Sequence, residues 1–153
     1  MKNILFVCTG NTCRSFMAER LLKKEIKEKG LDITADSCGI YAYPGQDGAA
    51  NAKSVLRTMG ADAEGHRAKQ MSRSLIEKAD LILTMEGPHM EHIARAFPEA
   101  AVRTHTLLGF AEGLYGYDGA HLRVPDPYGG DTAVYAKCAA VIEEAVLRIC
   151  EKI

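Results

Sequence analysis

The sequence lacks the features that would place it in most non-globular classes. No apolar run reaches the roughly 18 residues that a membrane-spanning helix needs, which argues against a membrane protein. The short apolar run that follows Met1-Lys2-Asn3 is too brief for a secretory signal. Neither sign of charge is in excess: 19 Lys and Arg face 20 Asp and Glu, for a net charge of −1. That balance gives no reason to expect a polyanion-binding surface, so neither nucleic acid nor a membrane is an expected partner. Cysteine is too sparse for a disulfide scaffold, and its count of five is odd. With 153 residues, the chain is long enough to bury a core without staples. Buried or chemically used thiols in a reducing, cytoplasmic compartment are therefore expected. Internal repeats, low-complexity tracts and linkers are also missing, which leaves a single domain spanning 1–153. His89 and His92 lie three apart on an expected helix with no acid or cysteine cluster beside them, so no metal or other cofactor is expected. What is present, 47% hydrophobic and 25% charged residues, is the composition of an ordinary soluble globular protein.

Periodicity organises the chain into alternating strands and helices. Ile4-Leu5-Phe6-Val7 reads as a strand buried on both faces. Met17, Ala18, Leu21, Leu22 and Ile26 then share one helical face, with Glu19, Arg20, Lys23, Lys24 and Lys27 opposite and Gly30 as the stop. A weak strand over about 32–37 and a helix over 49–59 follow. Ser72 can cap a short helix through Lys78. Asp80 to Thr84 reads as a third strand, followed by a helix to about Ala96, and 101–107 is a candidate fourth strand. Asp131 can cap a last helix that carries Val134, Cys138, Val141, Ile142, Ala145 and Ile149 on its apolar face. Such alternation predicts an α/β domain with right-handed crossovers and a parallel sheet covered on both faces. Ligands of these sheets bind beyond the carboxyl ends of the strands, which directs attention to the loop after the first strand.

That loop reads Cys8-Thr9-Gly10-Asn11-Thr12-Cys13-Arg14-Ser15. It leaves a buried strand and enters a helix N-terminus, where amide N–H groups and the helix dipole converge on an anion such as phosphate or sulfate. A thiol at its start sits in a positive field that lowers its pKa to roughly 3.5–7.5, which makes Cys8 a candidate nucleophile. Arg14 offers a planar fork for two phosphoryl oxygens. Gly10 permits a tight or left-handed turn, Asn11 can brace the loop, and Ser15 can cap the helix or donate its hydroxyl to a thiolate. The Cys-x5-Arg spacing alone is weak; its placement between strand and helix carries the argument. Asp126, fixed between Pro125 and Pro127, is the best candidate for a group that protonates a leaving atom and later deprotonates water.

The octapeptide resembles the active-site loop of the low-molecular-weight protein tyrosine phosphatases. Met17-Ala18-Glu19, Ser37-Cys38-Gly39, Ala79-Asp80-Leu81-Ile82-Leu83-Thr84-Met85 and Val124-Pro125-Asp126-Pro127-Tyr128 look like further landmarks of that family. The resemblance implies a three-layer domain with a four-stranded parallel sheet, no metal, and a phosphocysteine intermediate on phosphorylated protein substrates. It also implies that Asp126 is the general acid and that Tyr41 and Tyr128 wall the substrate pocket. Cys13 would form a reversible disulfide with Cys8 that shields the nucleophile from irreversible oxidation. Phe16 departs from a usual proline and Cys38 from a usual alanine; neither removes a catalytic group. A monomer is expected.

Three other activities compete with this reading. A thiol-dependent arsenate reductase would need resolving cysteines after the third strand, where Met85-Glu86-Gly87 stands instead. A non-hydrolytic phosphocysteine carrier would have no use for both Arg14 and a proline-flanked Asp126. A phosphotyrosine-specific enzyme is the nearer alternative. Thr12 tilts the balance towards phosphoarginine, because the string Cys-Thr-Gly-Asn-Thr-Cys-Arg-Ser resembles the protein arginine phosphatase branch, whereas tyrosine-directed members usually carry an aliphatic residue there.

Overall fold

The computed structural model describes residues 2–115 and 119–153. Four parallel strands, β1 (Lys2–Cys8), β2 (Ile33–Gly39), β3 (Leu81–Thr84) and β4 (Thr104–Thr106), lie in the order β2-β1-β3-β4. The helices are α1 (Arg14–Lys29), α2 (Ala50–Thr58), α3 (Arg73–Lys78), α4 (Gly87–Ala96), α5 (Leu107–Glu112) and α6 (Thr132–Lys152). Successive residues of β1 feed opposite layers, as the two-residue period of a strand requires. Ile4, Phe6 and Cys8 pack with Met17, Leu21, Ile142 and Val146 of α1 and α6. Leu5 and Val7 pack with Ile76 of α3 and Ile93 of α4. The result is the three-layer α/β domain expected from the alternation.

The order in which strands are added reverses at the boundary between β1 and β3. The connection leaving β1 runs to α1 on one face of the sheet, while that leaving β3 runs to α4 on the other. A crevice opens between them at the carboxyl ends of the strands, which is where such sheets bind ligands. Gly39 lets the neighbouring strand approach this point. A β-carbon there would lie 2.4 Å from the Thr9 carbonyl oxygen.

Three expectations need correction. The fourth strand is shorter than 101–107, because residues Pro98–Arg103 form a 3-10 turn and the Thr104 hydroxyl donates back to the Ala100 carbonyl at 2.7 Å. Helix α5 was not read from the sequence; it is one turn and a half, contains Gly109, and is capped by Thr106 accepting from the Gly109 amide at 3.1 Å. Glu19 and Arg20 do not face solvent but are buried. Glu19 accepts from Arg20 Nε at 3.2 Å, Lys23 Nζ at 3.0 Å and the Ser37 hydroxyl at 2.7 Å, which compensates its burial. No helix among the described residues is long and apolar enough to cross a membrane.

Candidate active site

The loop between β1 and α1 folds around a cavity of about 370 Å³ lined by residues 8–14 together with Gln46, Asp126 and Tyr128. Cys13 occupies the N-cap of α1 and its side chain makes no capping bond, so the first-turn amides stay available to an anion. The left-handed residue is not Gly10 but Asn11, with φ of 60°. Asparagine tolerates that region better than most side chains. Here it is also locked there by its contacts, being completely buried. Its carboxamide oxygen accepts from the Lys69 amide at 2.9 Å, and its nitrogen donates to the Ser15 and Ser37 hydroxyls, each at 2.9 Å. His66 Nε2 meets its carbonyl oxygen at 2.6 Å.

These bonds fix the direction of the next one. Ser15 Oγ accepts from Asn11, which leaves its own hydrogen for Cys8 Sγ, 2.8 Å away. Asn11 adds its backbone N–H to the same sulfur at 3.3 Å. Ser15 thus takes the second of its two expected roles and does not cap the helix. Two arms thus diverge from the Asn11 amide nitrogen, one through Ser15 to the sulfur and one through Ser37 to the buried Glu19 carboxylate. Phe16, at the position where proline was expected, is buried flat against His66 with ring centroids 4.3 Å apart. It supports the imidazole that holds Asn11.

Arg14 is equally constrained. Its Nη1 donates to Glu86 Oε2 at 2.7 Å and to the Val124 carbonyl at 2.9 Å. Asp126 Oδ2 lies 3.8 Å from Nη2. The guanidinium is therefore held by one corner, and its Nε–Nη2 edge is left to form the paired contact that a tetrahedral oxyanion favours. Asp126 is kept in place by flanking prolines and by Oδ1 accepting from the Tyr128 amide at 3.1 Å, while its side chain remains 56% exposed. The Cys138 thiol donates to the Pro125 carbonyl at 3.5 Å beneath this turn.

The structure brings Cys8, Arg14, Asp126, Thr12 and Tyr128 to one cavity, but not Tyr41. The Tyr41 ring is 71% exposed and rests edge-on against His92, with centroids 5.8 Å apart. Cys13 is a buried free thiol whose sulfur lies 3.3 Å from the Tyr135 hydroxyl, and burial raises its pKa. Burial also pushes Cys38 and Cys138 up to about 12, which fits packing thiols. Sequence reasoning missed Glu86, His66 and His89 as site residues. His89 Nε2 lies 3.0 Å from the Thr9 hydroxyl oxygen. Each is separated from the loop by 50 residues or more, and no local pattern marks it.

A cysteine at the bottom of an amide cradle, a tethered arginine and a proline-fixed carboxylate thus face one cavity, and the cradle suits an oxyanion. Residues 3–153 match the family model described as low molecular weight phosphotyrosine protein phosphatase, and the chain belongs to that family. It is 37% identical over 150 residues to a protein-arginine-phosphatase of Geobacillus stearothermophilus, covering 98% of this chain and 95% of the relative. The crystal structure of a low molecular weight protein tyrosine phosphatase from T. tengcongensis superimposes with a TM-score of 0.91 at 36% identity, covering all of both chains. The tyrosine phosphatase Wzb from Escherichia coli, solved in complex with sulphate, superimposes with a TM-score of 0.85 at 30% identity over 99% of this chain and 97% of its own. The protein is thus a low-molecular-weight phosphatase whose relatives act on arginine or on tyrosine.

Proposed function

We propose that this phosphatase removes phosphoryl groups from arginine side chains of proteins through a phosphocysteine on Cys8. Cys8 Sγ attacks phosphorus in line while the loop amides and the free edge of Arg14 hold the equatorial oxygens. The P–N bond breaks as the Asp126 carboxyl group protonates the departing guanidino nitrogen. Asp126, now a carboxylate, takes a proton from water. That water attacks the phosphocysteine, the S–P bond breaks, and inorganic phosphate leaves. The donors from Ser15 and Asn11 meet the charge that returns to sulfur as the S–P bond breaks. Tetrahedral oxyanions such as phosphate are the ligands this cradle fits. A reversible Cys8–Cys13 disulfide belongs to the same proposal.

The observation that carries the arginine reading is the presence of three hydrogen-bonding side chains in the cavity wall. Thr12, Gln46 and Asp126 all line it. A guanidino group finds hydrogen-bonding partners and a carboxylate there, which a phenyl ring would leave unused. Phosphotyrosine is the second reading, favoured by Tyr128, whose ring is 82% exposed at the same cavity. It could flank a tyrosine ring or stack on a guanidinium. The test is kcat/KM on phosphoarginine and phosphotyrosine peptides of one sequence. The parent should prefer phosphoarginine, and Thr12→Ile should shift the ratio towards phosphotyrosine by about fivefold, the equivalent of one hydrogen bond of about 1 kcal/mol. A parent that prefers phosphotyrosine, with a ratio indifferent to Thr12→Ile, would show the reading to be wrong.

A further inference from the structure

The first turn of α4 touches both ends of the phosphate-binding loop. Glu86, at its N-cap, holds Arg14 at the loop's end. His89, just inside the helix, places Nε2 3.0 Å from the hydroxyl oxygen of Thr9 at the loop's beginning. Thr9 directly follows Cys8 and lines the cavity, and its carbonyl oxygen already accepts from the Tyr41 amide at 2.9 Å.

His89 is buried, 3% exposed, and its Nδ1 has no hydrogen-bond partner. Buried N–H groups without an acceptor are rarer than buried acceptors without a donor. The tautomer that fits is therefore Nε2–H with a bare Nδ1, and Nε2–H donates to Thr9 Oγ1. A hydroxyl that accepts from histidine retains its own hydrogen for another acceptor. Burial, reinforced by Arg14, lowers the imidazole's pKa to about 4, with His92 acting in the same direction and Glu86 and Asp126 opposing. The ring stays neutral at ordinary pH and adds no second charge beside Arg14.

We propose that His89 is a positioning residue for dephosphorylation: its Nε2–H turns the Thr9 hydroxyl so that this hydroxyl donates to an oxygen of the phosphoryl group bound over Cys8. The inference rests on the reading of this cavity as the phosphoryl site, but not on the choice between arginine and tyrosine. It adds a side-chain donor to a cradle otherwise built from amides and Arg14, and it assigns that donor's orientation to a helix on the opposite face of the sheet.

A double-mutant cycle on the full chain tests it, with kcat, KM, the inhibition constant of inorganic phosphate and urea unfolding as readouts. His89→Leu and Thr9→Val should each weaken phosphate inhibition roughly tenfold, the worth of one charge-assisted hydrogen bond. The double variant should be no worse than the more affected single one, because both remove the same contact. His89→Gln, whose terminal amide nitrogen reaches the place of Nε2, should recover most of the loss, and His89→Asn should not. Additive losses would overturn the proposal, as would a His89→Leu variant that is destabilised but inhibited normally by phosphate. Thr9→Val changes an exposed side chain and keeps the test decisive where a histidine variant folds poorly. If phosphate fails to compete with substrate in the parent, the reading of the cavity itself fails. If it competes and Thr9→Val leaves the constant unchanged, the role of His89 alone is refuted.

Discussion

Replacing Asn11 tests whether the loop is held by side-chain bonding or merely enclosed by the surrounding core. Asn11→Ala removes three side-chain hydrogen bonds, to Ser15, Ser37 and the Lys69 amide. At about 1 kcal/mol net for each, the loss is about 3 kcal/mol. Alanine must also occupy a φ of 60°, where an ordinary side chain costs about 1–2 kcal/mol. The sum is about 4–5 kcal/mol, which lies at the extreme of single substitutions. Asn11→Gly loses the same bonds but escapes the left-handed strain. After allowing for the greater freedom of glycine in the unfolded chain, it should be roughly 1 kcal/mol milder than alanine. Turnover should suffer in both, since Ser15 loses the donor that directs its hydrogen at Cys8 Sγ. A misdirected catalytic geometry costs on the order of 10²-fold. Urea unfolding gives the stabilities, and kcat measured well below each variant's transition gives the activity. An alanine variant within about 1 kcal/mol of the parent, or a glycine variant less stable than the alanine one, would refute the reasoning.

Cys8→Ser should abolish turnover with an unchanged fold, because a hydroxyl in this cradle is not ionised at neutral pH; appreciable residual activity would put the nucleophile elsewhere. Asp126→Asn should slow substrates with poor leaving groups far more than those with good ones, and an equal loss on both would reduce Asp126 to a positioning role. Mild peroxide should inactivate the enzyme reversibly, with a Cys8–Cys13 linkage found by peptide mapping. Equal recovery of Cys13→Ser would dismiss the protective role, and slow closure is expected because burial raises the Cys13 thiol. In acid, His89 at about 4 binds its proton later than in the unfolded chain, where the ordinary value is 6.5. The unfolded state therefore holds more protons between those values, and stability should fall by about 3 kcal/mol as pH drops from 6.5 to 4. His66, also lowered by burial, adds to the same trend. His89→Gln should flatten the profile in urea unfolding at pH 7, 5.5 and 4.5, and a parent equally stable at all three would contradict the assignment.

What could be read from the sequence was what is local along the chain. The eight residues 8–15 carry their geometry in order: strand end, turn, helix start. A nucleophile, an anion cradle and an arginine in that order are legible without knowing what surrounds them. The caps at Ser72 and Asp131 were legible for the same reason, as each serine or aspartate oxygen meets an amide three residues on, at 3.2 and 3.0 Å. The errors also share one cause. Lys69, His66 and Phe16 decide that Asn11 and not Gly10 takes the left-handed conformation, and the first two arrive from more than 50 residues away. Propensity alone favours glycine there, but three side-chain bonds outweigh it. Glu19 looked like part of a solvated charged stripe because helical periodicity ranks residues by polarity and cannot see the Ser37 hydroxyl waiting on β2.

The same limit explains why the sequence marked α4 only as a helix to about Ala96. Glu86 and His89 sit where β3 ends beside β1, and the switch in strand order there brings α4's N-terminus to the loop. Arg14 without Glu86 would keep only the Val124 carbonyl as a hydrogen-bond acceptor; with it, the guanidinium has one corner committed and one edge free, so its orientation is set before any anion arrives. That preorganisation is what makes an arginine more than a charge in such a site. Arg14→Lys retains the charge and forfeits the planar two-edged geometry, so it should cost far more in kcat than in the affinity for inorganic phosphate. A lysine variant that loses both in equal measure would show that Arg14 acts through charge alone, and the Glu86 tether would then have no catalytic consequence.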